Sequence, residues 1–496
     1  MRGVMTTATD SDPGYVFGPR DRRVLLLGLR LPQLLLLGAA AVALLLGLVS
    51  QVRYGGLLGA ASASALIFVA LFPIQGRPVI DWARPLANYL HGRITGQGTY
   101  LGGPRAMHTP QEGPSDLVLP GAAGRVRVRS FDAPQGEVAV IRQGSRWTAV
   151  LEVTAPAYPL ADRATQQERV SSWGSLLAQL GQEGTRLAAI QWLERTIPDS
   201  GRGLDDWWHT KGDHRAPSAA DYENLIAEAG PAATRHETFV VVSIDERRCR
   251  RAIRAAGGGP DGTAKVLVGE LTWIETALRR CGVTVVGWLG PRDFGRLVRT
   301  QYDPESTAPI DKRDGRHLDS GVHLRAAGPM AARSKFTHYR TDTGYHAVYW
   351  VAAWPRMQVQ AAWLYPLLVL GGVRRTISVT AEPIAPSQSF REVRSAKVQK
   401  VTEEAQREKL GQIETALDEE EHSSLLRRER ELVHGHVEYR FTGYVTVTAA
   451  SEAELEDACS QVEQAAVRSV LEVRRVYGEQ DQAFIAGALP LARGVR

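Results

Sequence analysis

The sequence predicts an α+β protein in two parts, an N-terminal two-helix transmembrane hairpin and a larger body of mixed strands and helices. Two apolar runs, Leu31 to Ser50 and Gly55 to Ile74, carry no charged side chain. Each is about 20 residues long, enough to cross a hydrocarbon core as a helix. Only Gln51-Val52-Arg53-Tyr54 lies between them, enough for a tight turn. The rest of the 496-residue chain has no comparable run and alternates between period-two and helical apolar patterns.

Taken in order, residues 1–23 read as a flexible cytoplasmic tail, since Met1 to Gly18 is polar and rich in small residues. Residues 24–75 form the transmembrane hairpin, bounded in its spans by Leu31, Ser50, Gly55 and Ile74. Arg20, Arg22, Arg23 and Arg30 precede the first run, and Arg77, Arg84, Arg93 and Arg105 follow the second, against Arg53 alone in the turn. Arginine-rich short flanks stay inside, which predicts a two-span plasma (inner) membrane protein with both termini and the soluble body cytoplasmic. A signal peptide fits poorly, because the apolar part is too long and a second run follows at once. A buried hairpin in a soluble core fits poorly too, because core helices of this length rarely lack every charge. Gly59, Ala60, Ala61, Ser62, Ala63, Ser64 and Ala65 give a small-residue face suited to close helix packing in lipid.

Residues 76–120 read as an interfacial collar and linker. Trp82 and Tyr89 lie among arginines just inside the second span, the composition of a headgroup-level segment. His91 to Pro120 is rich in Gly, Pro, Thr and Gln. Residues 121–384 form a cytosolic α+β domain. Val126 to Ser130, Gly136 to Gln143 and Trp147 to Ala155 alternate as strands. Asp162 to Leu180 carries Val170, Trp173, Leu176, Leu177 and Leu180 at helical spacing. Arg186 to Pro198 is a strand, Asp205 to Ala229 mostly helical, and Glu237 to Asp245 a buried strand. Gly262 to Arg280 is an amphipathic helix, Val283 to Gly290 a strand, and Pro291 to Thr300 a helix with proline at its start. The order β-β-β-α-β-α-β-α-β predicts ferredoxin-like units, duplicated within the chain. Tyr302 to Ser334 reads as a long surface loop, with strands following at Tyr345 to Pro355 and Thr376 to Ile384.

Residues 385–496 begin with a long helical insertion. Ser387 to His434 is dense in Glu, Arg and Gln over a thin apolar stripe, a long helix or a hairpin broken at Gly411. Val437 to Ala449 is a strand, and Ser451 with Glu454 three residues on forms a capping box for the last long helix.

Charged residues at 23% and apolar residues at 44% suit ordinary globular domains. The net charge of +5 is modest and lies partly beside the membrane, where it favours anionic headgroups; it is a weak basis for nucleic-acid binding. Cys249, Cys281 and Cys459 show neither CxxC nor ligand spacing, as expected of incidental thiols in a reducing compartment. No P-loop, nucleophile-elbow or zincin motif occurs, so no catalytic, cofactor or metal residue is assigned. Gly257 to Lys265 lacks the P-loop lysine placement and reads as a turn. Asp205, Asp206, His209, Asp213 and His214 are the densest group of ligand-type side chains; the plainer reading is a surface segment around one buried tryptophan.

Two stretches carry family resemblances. The tail and hairpin resemble the PrgI and VirB-type small membrane proteins of conjugative type IV secretion. Ser387 to Glu431, Arg440 to Ala449, Ser451 to Glu456 and Gln480 to Leu491 together resemble the region that precedes the motor domain in VirB/TraC-type conjugation ATPases. That resemblance marks Gln480, Ala483, Phe484, Leu489, Pro490 and Leu491 as motor-docking candidates. Walker motifs are missing, so it implies a separate P-loop motor ATPase as partner and no ATPase activity here. The layout of hairpin plus α/β body is also similar to EccE, a component of actinobacterial type VII (ESX) secretion. The expected function is a non-catalytic, membrane-anchored scaffold of a secretion apparatus, oligomeric with other membrane subunits and without a cofactor. The rival class is a membrane-bound enzyme acting on a nucleotide or lipid-linked substrate, resting on the Asp205 to His214 group.

Overall fold

A computed structural model describes residues 31–494, apart from 51–53, 75–76, 103–114, 199–201, 230–233, 315–319, 411–415 and the single positions 157, 356, 358 and 361. The N-terminal tail with its four arginines, Arg53, Arg105 and Gly411 lie outside the described residues.

Helices α1 (Leu31–Val49) and α2 (Gly55–Leu71) come from the two apolar runs. They are antiparallel: Gln33 Nε2 near the start of α1 donates to the Ala70 carbonyl near the end of α2 at 2.9 Å. Their backbones touch near the connecting turn, in the last turn of α1 and early in α2. A Cβ placed on Gly47 would lie 2.6 Å from Gly59 Cα, so this crossing admits only glycine. α1 is long and apolar enough to cross a membrane, and α2 is a shorter apolar helix of 17 residues. Two short antiparallel strands, β1 (Pro73–Ile74) and β2 (Arg77–Pro78), then turn the chain back. The Val79 amide reaches the Phe72 carbonyl at 3.1 Å.

The expected collar and linker are more regular than the sequence implied. α3 (Ile80–Ile94) is a continuous helix with Pro85 inside it. The following stretch supplies two short strands, β3 (Thr99–Leu101) and β4 (Ser115–Val118). Strands of three and four residues are too brief to show a period, which is why Gly and Pro dominated that reading.

The body is built twice on one plan. The first repeat runs β5 (Arg125–Ala133), β6 (Gly136–Gln143), β7 (Arg146–Thr154), α4 (Arg163–Leu180), β8 (Leu187–Pro198), α5 (Arg202–Lys211), α6 (Ala219–Ala229), β9 (Thr234–Asp245), α7 (Arg250–Ala255), α8 (Gly259–Arg280), β10 (Thr284–Trp288) and α9 (Pro291–Tyr302). After α10 (Thr307–Asp314), the second runs β11 (Ala331–Ser334), β12 (Tyr339–Thr341), β13 (Tyr345–Ala353), α11 (Tyr365–Leu368), β14 (Arg374–Ile384), α12 (Pro386–Leu410), α13 (Ala416–Val433), β15 (Glu438–Ala449), α14 (Glu452–Arg468), β16 (Glu472–Arg475) and α15 (Gln480–Ala488). Helix starts follow their caps: Asp162 Oδ1 accepts from the Thr165 amide at 2.9 Å, and Ser451 Oγ from the Glu454 amide at 3.2 Å.

Hydrogen bonding sets the lateral orders β10-β7-β9-β8 and β16-β13-β15-β14, all antiparallel. Each is the ferredoxin-like βαββαβ order, with a helical pair inserted between its second and third strands. The two units join edge to edge, β8 against β14, from Ile190 opposite Ala381 to Arg195 opposite Thr376. A 14-stranded sheet results. β7 pairs with β6 through its first residues and with β10 through its last; β13 does the same with β12 and β16. The sheet therefore forks at the same point in each repeat. β3 covers β11 and β4 covers β5, and the two end strands meet where Tyr100 Oη donates to the Val118 carbonyl at 3.4 Å.

One face of the sheet carries two separate cores. Leu151, Val240 and Val242 pack under α4 and α8, while Tyr349, Val445 and Val447 pack under α11 and α14. The other face holds one shared core, in which Val128, Ile141, Leu193, Phe239, Val348 and Tyr444 surround α9 and α15. These two helices follow the last strand of their repeats and meet ring to ring, Tyr302 and Phe484 at 5.1 Å. The segment expected as a long loop, Tyr302 to Ser334, belongs to this core: Ile310, Val322, Leu324 and Ala327 are buried. Its elements are too short for a period to emerge.

Candidate functional site

Two places join chemistry to position, the junction between the apolar helices and the body and a charged knot inside the first repeat. At the junction, α3 lies against the loop after β11 and the segment between β16 and α15. Trp82 meets Tyr477 at 5.3 Å and Phe336 at 6.5 Å, and Tyr89 meets Phe336 edge-on at 5.5 Å. Asn88 Nδ2 donates to Glu479 Oε1 at 2.8 Å. The backbone after β16 comes so close that a Cβ on Gly478 would lie 2.8 Å from the Pro85 carbonyl oxygen. The collar aromatics, expected at headgroup level, thus face protein. Aromatic rings bring large area and defined geometry to a contact, and these four clamp the segment that follows the apolar helices to the second repeat.

The charged knot sits where β8 and β9 pass beneath α9. Arg195 is 2% exposed, and both Nε and Nη2 reach Glu237 Oε2, at 2.8 and 2.6 Å. Its Nη1 donates to Thr300 Oγ1 at 2.8 Å. Glu237 Oε1 takes Arg235 Nη2 at 2.8 Å, and Arg296 binds Asp311 at 2.6 Å alongside. Burial alone would push the Glu237 carboxyl upward; Arg195, Arg296 and Arg235 overcome it and hold the group at about 2. Glu152, on the neighbouring strand, moves the other way, raised by its own burial and by the Glu237 charge. Glu237 is held by Arg195 and Arg235, and Asp311 by Arg296, so the knot ties α9 to the sheet.

Several expected residues fall elsewhere. Trp208 is buried against Ala219, Tyr222 and Ile226, with Nε1 donating to Glu223 Oε1 at 3.1 Å, whereas His209 and His214 are exposed. This is the tryptophan-centred surface segment, and among the described residues no group of three His, Cys, Asp or Glu side chains is placed to hold a metal. Of Gly257 to Lys265, Gly257 and Gly258 turn the corner after α7 and the rest form the first turns of α8, so the expected turn is mostly helix. The three cysteines are buried, and burial pushes the Cys249 thiol up to about 11. Gln480, Ala483, Phe484, Leu489 and Leu491 are in the shared core. Gln480 Oε1 accepts from the Val348 amide at 2.9 Å, and Gln191 on β8 holds both Leu489 O and the Ala492 amide. A motor subunit meeting the folded body would touch other side chains than these.

The fold and the junction define a class: a duplicated ferredoxin-like α+β body clamped to an apolar helical pair. Within it, residues 232–351 match the family model EccE, described as a putative type VII ESX secretion system translocon. The match covers about a quarter of the chain, from β9 through the charged knot's Arg235, Glu237, Arg296 and Asp311 to β13. It supports a membrane component of type VII secretion. No curated protein matches the chain. The knot was hidden in the sequence because its charges stand in the polar ends of their strands, Glu194-Arg195 in β8 and Arg235-His236-Glu237 in β9, where they read as solvent-facing.

Proposed function

We propose that this protein is a non-catalytic, membrane-anchored component of a type VII (ESX) secretion apparatus. The observation that carries the proposal is the EccE match, which falls on the strands and helices joining the two repeats of a body clamped to apolar helices. α1 and α2 serve as a two-span anchor with both chain ends and the body on the cytoplasmic side, as the arginine flanks favour. The body is a rigid scaffold. It offers surfaces to other membrane subunits and to a separate P-loop motor ATPase. The conjugative reading rests on the tail and hairpin and on four C-terminal stretches, of which the Gln480 to Leu491 string lies in the shared core.

The test is affinity capture of the tagged full chain from detergent extracts of cells expressing its neighbouring genes, with cross-linking before lysis. Recovery of type VII membrane subunits together with a P-loop ATPase is expected. Recovery of the chain by itself, or of conjugation subunits in their place, overturns the reading.

A further inference from the structure

Helix α3 has three sides. At 100° per residue, Trp82, Pro85 and Tyr89 share the side turned to Phe336 and Tyr477. Asp81, Arg84, Asn88 and His91 make a polar side. Between them runs an aliphatic side, Leu86, Leu90 and Ile94 at four-residue steps with Ala83 and Ala87 interleaved, and it is uncovered: Ile94 is 84% exposed. The body uses only one of the helix's two apolar sides.

We propose that this aliphatic side lies in the headgroup region of the leaflet next to the body, making α3 an in-plane membrane helix that sets the tilt of the body. The inference rests on α1 and α2 being membrane helices. The occupant follows from continuity with them. β1 and β2 reverse the chain after α2, and the Val79–Phe72 hydrogen bond returns it to the level where α2 ends. α3 starts there, at the membrane boundary, and runs beside the body for about 22 Å. Phe68 and Phe72 stack at 4.5 Å on the last turn of α2, continuing the apolar surface toward α3. Exposed Arg84 and Arg93 flank the aliphatic side, where lipid phosphates would meet them. An amphipathic helix bearing leucine and isoleucine opposite polar residues, fixed at that depth, partitions into the acyl–headgroup boundary.

Because Cys249, Cys281 and Cys459 are buried, single introduced thiols can be labelled selectively. The full chain carrying Leu86→Cys, Leu90→Cys or Ile94→Cys is labelled with an environment-sensitive fluorophore in vesicles of phosphatidylcholine and phosphatidylglycerol. His91→Cys serves as the polar-side control and Leu45→Cys on α1 as the anchor control. The expected result is blue-shifted emission at 86, 90 and 94, quenched several-fold more by nitroxides near the headgroup than the label at 91. Aqueous emission at 86, 90 and 94 with lipid quenching at 45 overturns the proposal and leaves the anchor standing. Shielding from water without lipid quenching assigns the face to a protein, such as a second copy, and also overturns it. Aqueous emission at 45 would instead defeat the anchor reading.

Discussion

Replacing Glu237 by Gln keeps the shape of the charged knot and removes its central charge. Arg195, 2% exposed, then has only neutral acceptors, the single amide oxygen of the new side chain, Thr300 Oγ1 and the distant Leu297 carbonyl. Breaking a buried pair from one side costs about 3–5 kcal/mol, because the surviving charge is left without compensation. The carboxyl gives a similar figure by another route. A drop from 4.5 to about 2 on folding corresponds to about 3 kcal/mol of stabilisation. The sign is fixed by linkage: the folded pKa is depressed, so the contribution is complete above pH 4.5 and is lost as pH falls toward 2. The assay is urea unfolding of the full chain in detergent, followed by circular dichroism at pH 7 and at steps down to pH 3. Glu237→Gln should lower the midpoint by about 1 M at a slope near 3 kcal/mol per M. The gap from wild type should narrow through the acid steps. Adding Arg195→Met should cost less than the two single losses combined. A neutral-pH difference under about 0.5 kcal/mol, or a gap that holds constant into acid, would refute the reasoning.

Three further predictions concern other layers of the fold. His346 is fully buried between Thr341 Oγ1 at 2.8 Å and Thr448 Oγ1 at 2.9 Å, and burial, with Arg374 nearby, lowers it to about 3. The unfolded chain takes up that proton below about 6.5, so wild type should lose up to about 4 kcal/mol between pH 6.5 and pH 3 through this group, and His346→Gln should flatten that slope in the same titration. Gly487→Ala places a Cβ 2.9 Å from Thr446 Oγ1 and from Tyr444 Cβ, and should cost about 1–3 kcal/mol in unfolding measurements by pushing α15 off β15. Gly59→Leu drives a side chain into the Gly47 backbone, so a cysteine pair placed across the α1–α2 crossing should form its disulfide several-fold less completely than in the glycine parent, while Gly56→Leu, on an open side, should leave it unchanged.

Period and turn chemistry made the first repeat legible. From β5 to α9 most elements are long enough to repeat their apolar spacing, the six-residue α7 being the one that went unread, and the ferredoxin-like order follows from that. The second repeat was harder to read, since only the four-residue α11 occupies the place of the long α4. The equivalence of α9 and α15 was not legible. One starts Pro-Arg-Asp-Phe and the other Gln-Asp-Gln-Ala, and nothing local says that each crosses to the far side of the sheet. The same gap explains the reading of Gln480 to Leu491 as a docking string. A short helix apolar nearly all round is what a site enclosed on every side selects, and such a composition imitates a recognition motif. Trp82 and Tyr89 were correctly singled out, but whether an aromatic faces lipid or protein depends on Phe336 and Tyr477, far along the chain.

The two end strands come from a single stretch. β3 and β4, which finish opposite edges of the sheet, both lie in the passage that carries the chain from the apolar helices to the body. Raw strand edges recruit other chains, and here the tether itself shields them. A fragment cut at the apparent start of the body, near residue 121, would bare β5 and β11 together and should aggregate, whereas one beginning ahead of Thr99 keeps both guarded. The guard on the sheet edges is thus carried by the linker and not by the apolar helices: the body can be parted from α1 and α2 without losing its seal, provided the cut falls ahead of Thr99.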